Sequence, residues 1–278
     1  MIVYPNAKIN IGLSVIGKRE DGFHNLETVL YPLPGLRDIL EINRSGGAKG
    51  VCEFENTGLS IDCEEEKNLV VRAYKLLAAP FDLPGVNISL HKVIPYAAGL
   101  GGGSSDAAFT LNALNEYFEL KIPERNLLNY AARLGSDCAF FIRNRLAFAG
   151  GKGELLEDID LVLEDYEVMV VKPDCAVSTK EAYAGITPRE AMYDLHDLNN
   201  LPLDNWKERV KNDFEETIFK KYPEIERIKN ELYAQGAVYA SMTGSGSGVF
   251  GIFPRGSEVK AEPMRAEFTW KEDKLKEE

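Results

Sequence analysis

Apolar and polar residues alternate from Ala7 to Leu13, with Lys8 and Asn10 on one side and Ile9 and Ile11 on the other. Successive side chains of a strand point to opposite faces, so this spacing predicts a half-buried β-strand near the N-terminus. Similar short runs predict strands over residues 37–43, 51–55 and 86–91, separated by turns such as Ser45-Gly46-Gly47. Between them the period changes: Leu69, Val70, Ala73, Leu76 and Leu77 recur at helical spacing, and Asn68 is placed to cap that helix.

Further helices are predicted over 105–120 and, past Pro123, over 124–134, with strands over 146–149 and 166–171. Residues 186–204, with Pro188 and Pro202 and little periodicity, read as a long loop. Helical patterns return over 206–220 and 223–235, and strands over 238–242 and 248–253 flank a Gly-Ser turn. The mostly charged residues 271–278 are expected to fray. Strands and helices mixed in this irregular order predict an α+β fold, with a domain boundary near residue 155, giving 1–155 and 156–278.

Composition narrows the classes. With 278 residues, 45% hydrophobic and 27% charged, the chain can bury a sizeable core without disulfides or metals. Cys52, Cys63, Cys138 and Cys175 stand far apart with no metal-ligand spacing, so reduced and mostly buried thiols are expected. No apolar run reaches the roughly 18 residues of a membrane span, and a soluble, cytoplasmic protein is expected. A formal charge of −12 argues against a nucleic-acid or anionic-membrane surface. An anionic ligand must then be gripped by a few local donors.

Residues 95–108, Pro-Tyr-Ala-Ala-Gly-Leu-Gly-Gly-Gly-Ser-Ser-Asp-Ala-Ala, run straight into a helical pattern and offer such donors. Glycines let backbone N–H groups converge, and the helix N-terminus adds free donors and a positive dipole end, which suits a phosphate chain. A Walker A loop would need a lysine after the glycines, and a dinucleotide fingerprint would need glycine where Ser104 stands. The plain alternative, a flexible Gly/Ser linker, fits poorly with a strand before the segment and a strong helix after it.

With Pro5-Asn6-Ala7-Lys8-Ile9-Asn10 near the start and Thr243-Gly244-Ser245-Gly246-Ser247-Gly248 near the end, the segment resembles the three motifs of the GHMP kinases, in that family's order. Residues 17–28, containing Arg19-Glu20-Asp21-Gly22-Phe23-His24, resemble a signature of one branch, the 4-diphosphocytidyl-2-C-methyl-D-erythritol kinases. Leu134-Gly135-Ser136-Asp137-Cys138 resembles another, with Ala139 in place of its proline, and Asn212-Asp213-Phe214-Glu215 a third.

The resemblance implies a two-domain GHMP kinase fold, with a ribosomal protein S5 domain 2-like N-terminal domain and a ferredoxin-like C-terminal domain. It implies ATP as co-substrate with Mg²⁺, an acceptor carrying a CDP moiety, and a step in the non-mevalonate route to isoprenoid precursors. No nucleic-acid or membrane partner is expected, and the chain is expected to be a monomer or weak homodimer. Asp137 would be the catalytic carboxylate and Lys8 its cationic neighbour, an arrangement suited to accepting an alcohol proton during phosphoryl transfer. The same pair could instead be a buried structural salt bridge.

By the same resemblance, Pro95, Gly99, Leu100, Gly101, Gly102, Gly103, Ser104 and Ser105 would hold ATP, with Asn68 and Lys92 near the nucleotide. Mg²⁺ would meet Ser104 or Ser105. Phe23 and Tyr183 would sandwich the cytosine while His24 reads its polar edge. Asn10, Lys8 and Thr179 would hold the methylerythritol hydroxyls, and Gly244 and Ser245 would offer backbone donors to the acceptor. Two alternatives stay open: another GHMP kinase, of the mevalonate, phosphomevalonate or homoserine type, and a non-catalytic nucleotide-binding regulator on the same fold.

Overall fold

The computed structural model describes residues 1–60 and 63–272. Its chain opens with β1 (Ile2–Val3), β2 (Asn6–Lys18), β3 (His24–Arg37), β4 (Ile39–Arg44) and β5 (Cys52–Gly58). Next come α1 (Leu69–Phe81), β6 (Val86–Lys92), α2 (Gly102–Tyr117), α3 (Glu124–Ala132) and α4 (Cys138–Arg143). After β7 (Ala147–Gly150), β8 (Leu155–Asp158) and β9 (Tyr166–Lys172) follow α5 (Thr179–Ala184), α6 (Trp206–Arg209), α7 (Glu215–Lys221) and α8 (Pro223–Ala234). The described chain closes with β10 (Tyr239–Met242), β11 (Val249–Pro254) and β12 (Phe268–Lys271).

These elements form two compact units interleaved along the chain. The first comprises Met1–Ala7, Leu36–Tyr96 and Gly101–Arg145; the second comprises Lys8–Gly35, Ala97–Leu100 and Leu146–Glu278. In the first unit the sheet order is β1-β4-β6-β5, antiparallel except for the parallel pair β5 and β6. β6 alternates strictly, burying Val86, Ile88, Leu90 and Lys92 and exposing the residues between. Val70, Val71, Ala73, Tyr74 and Leu77 are the buried stripe of α1, whose N-terminus is capped by Asn68 accepting from the Val70 amide at 2.9 Å.

The second unit has two four-stranded sheets, β2-β3-β7-β8 and the antiparallel β10-β11-β9-β12. A core of Leu13, Val15, Val171, Phe214, Ile225, Ile228, Leu232 and Phe253 fills it. Ile225, Ile228 and Leu232 recur at helical spacing and form the apolar stripe of α8.

The sequence patterns are altered in four places. β2 is buried on both faces rather than one, because Lys8 and Asn10 are drawn into hydrogen bonds inside the protein. The helix expected over 206–220 is broken into α6 and α7, because Val210 turns extended, Asn212 bridges to Leu13, and Leu13 bonds Lys211 and Asp213 through its backbone. Of the tail expected to fray, Lys271 closes β12, while residues 273–278 lie outside the described residues. The four cysteines are free, but only Cys138 is fully buried and Cys63 is exposed. Among the described residues no helix is long and apolar enough to cross a membrane.

Candidate functional site

Lys8 is the second unit's first residue and only 2% exposed. Its ammonium donates to Asn10 Oδ1 at 2.6 Å and to the Gly99 carbonyl at 2.9 Å. Asn10 is fixed in turn: its side-chain amide donates to Thr28 Oγ1, and its backbone N–H donates to Thr243 Oγ1 at 3.0 Å. The Thr243 hydroxyl donates in turn to the Gly99 carbonyl at 3.0 Å. One carbonyl, that of Gly99, thus collects Lys8 and Thr243. These bonds hold the lysine side chain in one rotamer.

Two of the motifs meet through backbone. The amides of Ser247 and Gly248 donate to the carbonyls of Ala97 and Ala98, at 3.1 and 3.2 Å. Only glycine fits this approach. A Cβ on Gly99, whose φ is +70°, would come within 2.0 Å of the Thr243 oxygen, and one on Gly248 within 2.3 Å of the Ala98 oxygen. The turn from Thr243 to Gly248 joins β10 to β11, and Asn212 braces it by donating to the Met242 and Gly244 carbonyls at 2.7 and 2.9 Å. Glu215 adds a bond from the Met242 amide. The element Asn212 to Glu215 therefore supports the Gly-Ser turn, and the need for that support explains why the helix breaks there.

Phe23 and His24 leave a tight turn in which Phe23 and Gly22 bond back to Arg19, with Gly22 at φ +83°. Desolvation works against the Asp21 charge, but the Phe23 amide and Arg19 hold its carboxyl below the usual range. His24 lies against Tyr183, centroids 4.9 Å apart, and Tyr183 meets the edge of Phe214 at 4.8 Å. The ring that faces Tyr183 is thus that of His24. Phe23, 57% exposed, instead carries the Lys152 ammonium 4.8 Å from its ring centre. Lys152 sits on the β7–β8 turn, which bonds back to Leu26 through the Gly151 carbonyl. Sequence reasoning missed Lys152: a lysine in a Gly-Lys-Gly turn carries no periodic signal, and its neighbour is remote along the chain. Thr179 opens α5, its hydroxyl 3.5 Å from that of Ser245.

In the first unit, Gly101 at φ +71° precedes α2, and Gly102 to Ser105 form its first turn. The positive φ angles of residues 95–108 thus fall at Ala97, Gly99 and Gly101, while Gly102 and Gly103 are helical. Gly102 is needed for space: its Cβ would lie 2.9 Å from Ile94 Cγ2 and 3.0 Å from Lys92 Nζ. Gly103 is exposed, with only Leu69 within 4 Å of such an atom. Ser104 is half-exposed, whereas Ser105 is wholly buried.

Asp137, half-exposed, ends the Leu-Gly-Ser-Asp turn just before α4. Cys138 follows it. Burial pushes the Cys138 thiol up to about 11, with Ser104 pulling down and the Asp137 charge pushing further up. A Cβ on Gly135 would sit 3.4 Å from Cys138 Sγ and 3.8 Å from Ser104 Oγ, so the first turn of α2 and the Asp137 turn are neighbours in this unit.

The ammonium of Lys92 is engaged by two carboxylates, Asp38 at 2.5 Å and Asp106 at 2.7 Å. Burial opposes its charge, but Asp106 and Asp38 hold its pKa above the ordinary value. Burial also pushes the Asp106 carboxyl up, against the pull of Lys92. Among the described residues no group of three His, Cys, Asp or Glu side chains could hold a metal, so a divalent ion here must bring most of its ligands with it. Ser104 is half-exposed, and the buried Ser105 Oγ has no hydrogen-bond partner among the described residues.

Comparison with known proteins supplies the context. Residues 68–145 match the GHMP kinases N terminal domain and residues 189–268 match GHMP kinases C terminal. The 4-diphosphocytidyl-2-C-methyl-D-erythritol kinase of Bacteroides fragilis is 49% identical over 268 residues, covering 96% of this chain and 97% of the relative. That of Chlorobium phaeobacteroides is 39% identical, covering 94% and 93%. A crystal structure of 4-(cytidine 5'-diphospho)-2C-methyl-D-erythritol kinase superposes with a TM-score of 0.81 at 32% identity, covering 98% of both chains. The Methanococcus jannaschii mevalonate kinase, at 14% identity and a TM-score of 0.70, shares the fold.

Proposed function

We propose that this chain, which belongs to the GHMP kinase family, transfers the γ-phosphoryl group of ATP to the C2 hydroxyl of 4-diphosphocytidyl-2-C-methyl-D-erythritol. The observation that carries the reading is full-length identity of 49% to a kinase of that name. The place of the step is the non-mevalonate route to isoprenoid precursors.

The chemistry follows from the residues. The C2 oxygen attacks the γ-phosphorus as the bond to the β–γ bridging oxygen breaks, and ADP leaves with that electron pair. Asp137 accepts or orients the hydroxyl proton. Lys8, fixed by Asn10 and Gly99, offsets charge growing on the phosphoryl oxygens. Gly101 to Ser104 and the positive end of α2 receive the phosphates. Pro95, Gly99 and Leu100 shape the segment, and Asn68 borders the nucleotide. Ser104 or Ser105 would meet Mg²⁺, which would supply charge neutralisation.

On the acceptor side, His24 stacked on Tyr183 offers a face suited to a pyrimidine, and Phe23, next to His24 in the chain, carries the Lys152 ammonium over its ring. Asn10 and Thr179 would hold the tetritol hydroxyls, and Gly244 and Ser245 would offer backbone donors. Kinases of mevalonate, phosphomevalonate or homoserine have no cytidine to read, so the Phe23–His24 turn separates the readings.

An ATP-turnover assay with four acceptors tests the proposal: the CDP-linked methylerythritol, mevalonate, phosphomevalonate and homoserine. Turnover confined to the first is expected. Turnover with another acceptor moves the chain to a different branch, and none with any of them favours a nucleotide-binding regulator.

A further inference from the structure

β6 ends at Lys92 and α2 begins at Gly102, and the connection between them holds the glycines at 99 and 101. Both ends of this connection are tied to one point. Asp38 Oδ1 accepts the amides of Val93 and Ile94, at 2.6 and 2.9 Å, which grips the first two residues after β6. Asp38 Oδ2 accepts from Lys92, and Lys92 reaches across to Asp106, in the first turns of α2. Asp38 is itself set by its own amide, which donates to the Pro5 carbonyl at 2.8 Å. Gly102 lets the helix come close enough for the reach to be made.

Three charged groups exposed by only 5%, 0% and 2% are costly to bury; Asp38 also satisfies two backbone amides, but a buried pair such as Lys92 with Asp106 can often be replaced by apolar side chains of similar volume without loss of stability. Directional bonds, unlike apolar packing, define a separation. A glycine-rich connection has many conformations of similar energy, so its converging donors are aimed only if the ends are held.

We propose that Lys92 is a positioning residue for ATP and not a phosphate ligand: with Asp38 and Asp106 it sets the distance between β6 and α2, and so pre-shapes the phosphate-receiving segment. This rests on the kinase reading above. With two strong bonds to buried carboxylates, the ammonium cannot turn to a phosphate without stranding one of them.

The test compares Asp106→Leu, which removes the tie, with Asp106→Asn, which keeps an acceptor for Lys92. Three things are measured: affinity for a non-hydrolysable ATP analogue by calorimetry, KM for each substrate with kcat, and the thermal midpoint. In folded Asp106→Leu, ATP-analogue affinity and KM for ATP should weaken about tenfold, while acceptor KM and kcat at saturating ATP change little, the pattern of lost ground-state binding. Asp106→Asn should recover most of that affinity. Lower thermal stability with wild-type analogue affinity would make the cluster merely structural and overturn the proposal. A fall in kcat with KM for ATP unmoved would also overturn it, since Lys92 would then be acting on the reacting phosphoryl group. If Asp106→Leu does not fold, Asp106→Asn against wild type carries the test, with a loss of about two- to threefold selective for ATP expected and equal affinities overturning the idea. Analogue binding needs no acceptor, so a wrong acceptor assignment would leave this result readable.

Discussion

Tyr183 lies flat against His24, ring centroids 4.9 Å apart and planes 20° from parallel. The two residues are far apart in sequence and belong to one unit, where Phe214 steadies Tyr183 from its edge. Two rings in contact are already partly desolvated, so a pyrimidine joining them loses little more water and gains stacking.

Stacking tolerates any base, so discrimination falls to polar groups that the wrong base leaves unpaired, each worth about 1–3 kcal/mol. His24→Ala should raise KM for the cytidine substrate and shrink its advantage over a uridine analogue, with ATP affinity unchanged. The ratio of kcat/KM values for the two analogues, in wild type and variant, checks this; an unmoved ratio makes His24 structural.

Lys152 stands over the ring of Phe23, the residue before His24. Lys152→Met keeps the aliphatic stem and removes the charge, and should weaken binding of cytidine 5'-diphosphate by several-fold, on the order of one charge-assisted hydrogen bond. Calorimetry with the diphosphate reads the effect directly. Equal affinity would show that the lysine does no more than cover the Phe23 ring.

Asp137→Asn should leave both substrates bound and lower turnover by roughly two to four decades, the range for losing a positioned base. Single-turnover kinetics on the purified variant separates chemistry from binding. Near-normal rates would remove Asp137 from the mechanism.

The glycines divide by what each one faces. Gly99→Ala places a Cβ 2.0 Å from the Thr243 oxygen at positive φ, and should cost at least about 2 kcal/mol of stability. Gly103→Ala meets nothing closer than 3.8 Å and should fold normally, so any loss it shows is in ATP affinity. Urea denaturation beside analogue titration distinguishes the two; equal stability losses would contradict the geometry.

Cys63 is exposed, while burial holds the thiols of Cys52, Cys138 and Cys175 up at about 11. Near neutral pH an alkylating reagent should therefore label Cys63 first and leave Cys138 untouched in the folded protein. Mass mapping after limited reaction checks the order, and early labelling of Cys138 would show that the α4 region opens.

Much here was decided locally and could be read without tertiary structure. The alternation of β6, the cap of α1 by Asn68 and the stripe of α8 are properties of neighbouring residues. The three motifs and the Phe23–His24 turn are also legible, because loop chemistry uses contiguous glycines and polar residues. Periodicity marks where apolar groups lie, but it cannot say whether a polar face meets water or a partner. β2 looked half-buried because the hydrogen bond from the Asn10 amide is to Thr243, 233 residues away. The helix over 206–220 broke because Asn212 was needed at the carbonyls of residues 242 and 244, a demand invisible to helical spacing. Lys92 read as a lysine near the nucleotide, and only the fold supplied Asp38 and Asp106, 54 and 14 residues distant, that take its charge into the interior. Burying a polar or charged group is favourable only when its partners arrive with it, and which partners arrive is a property of the whole fold.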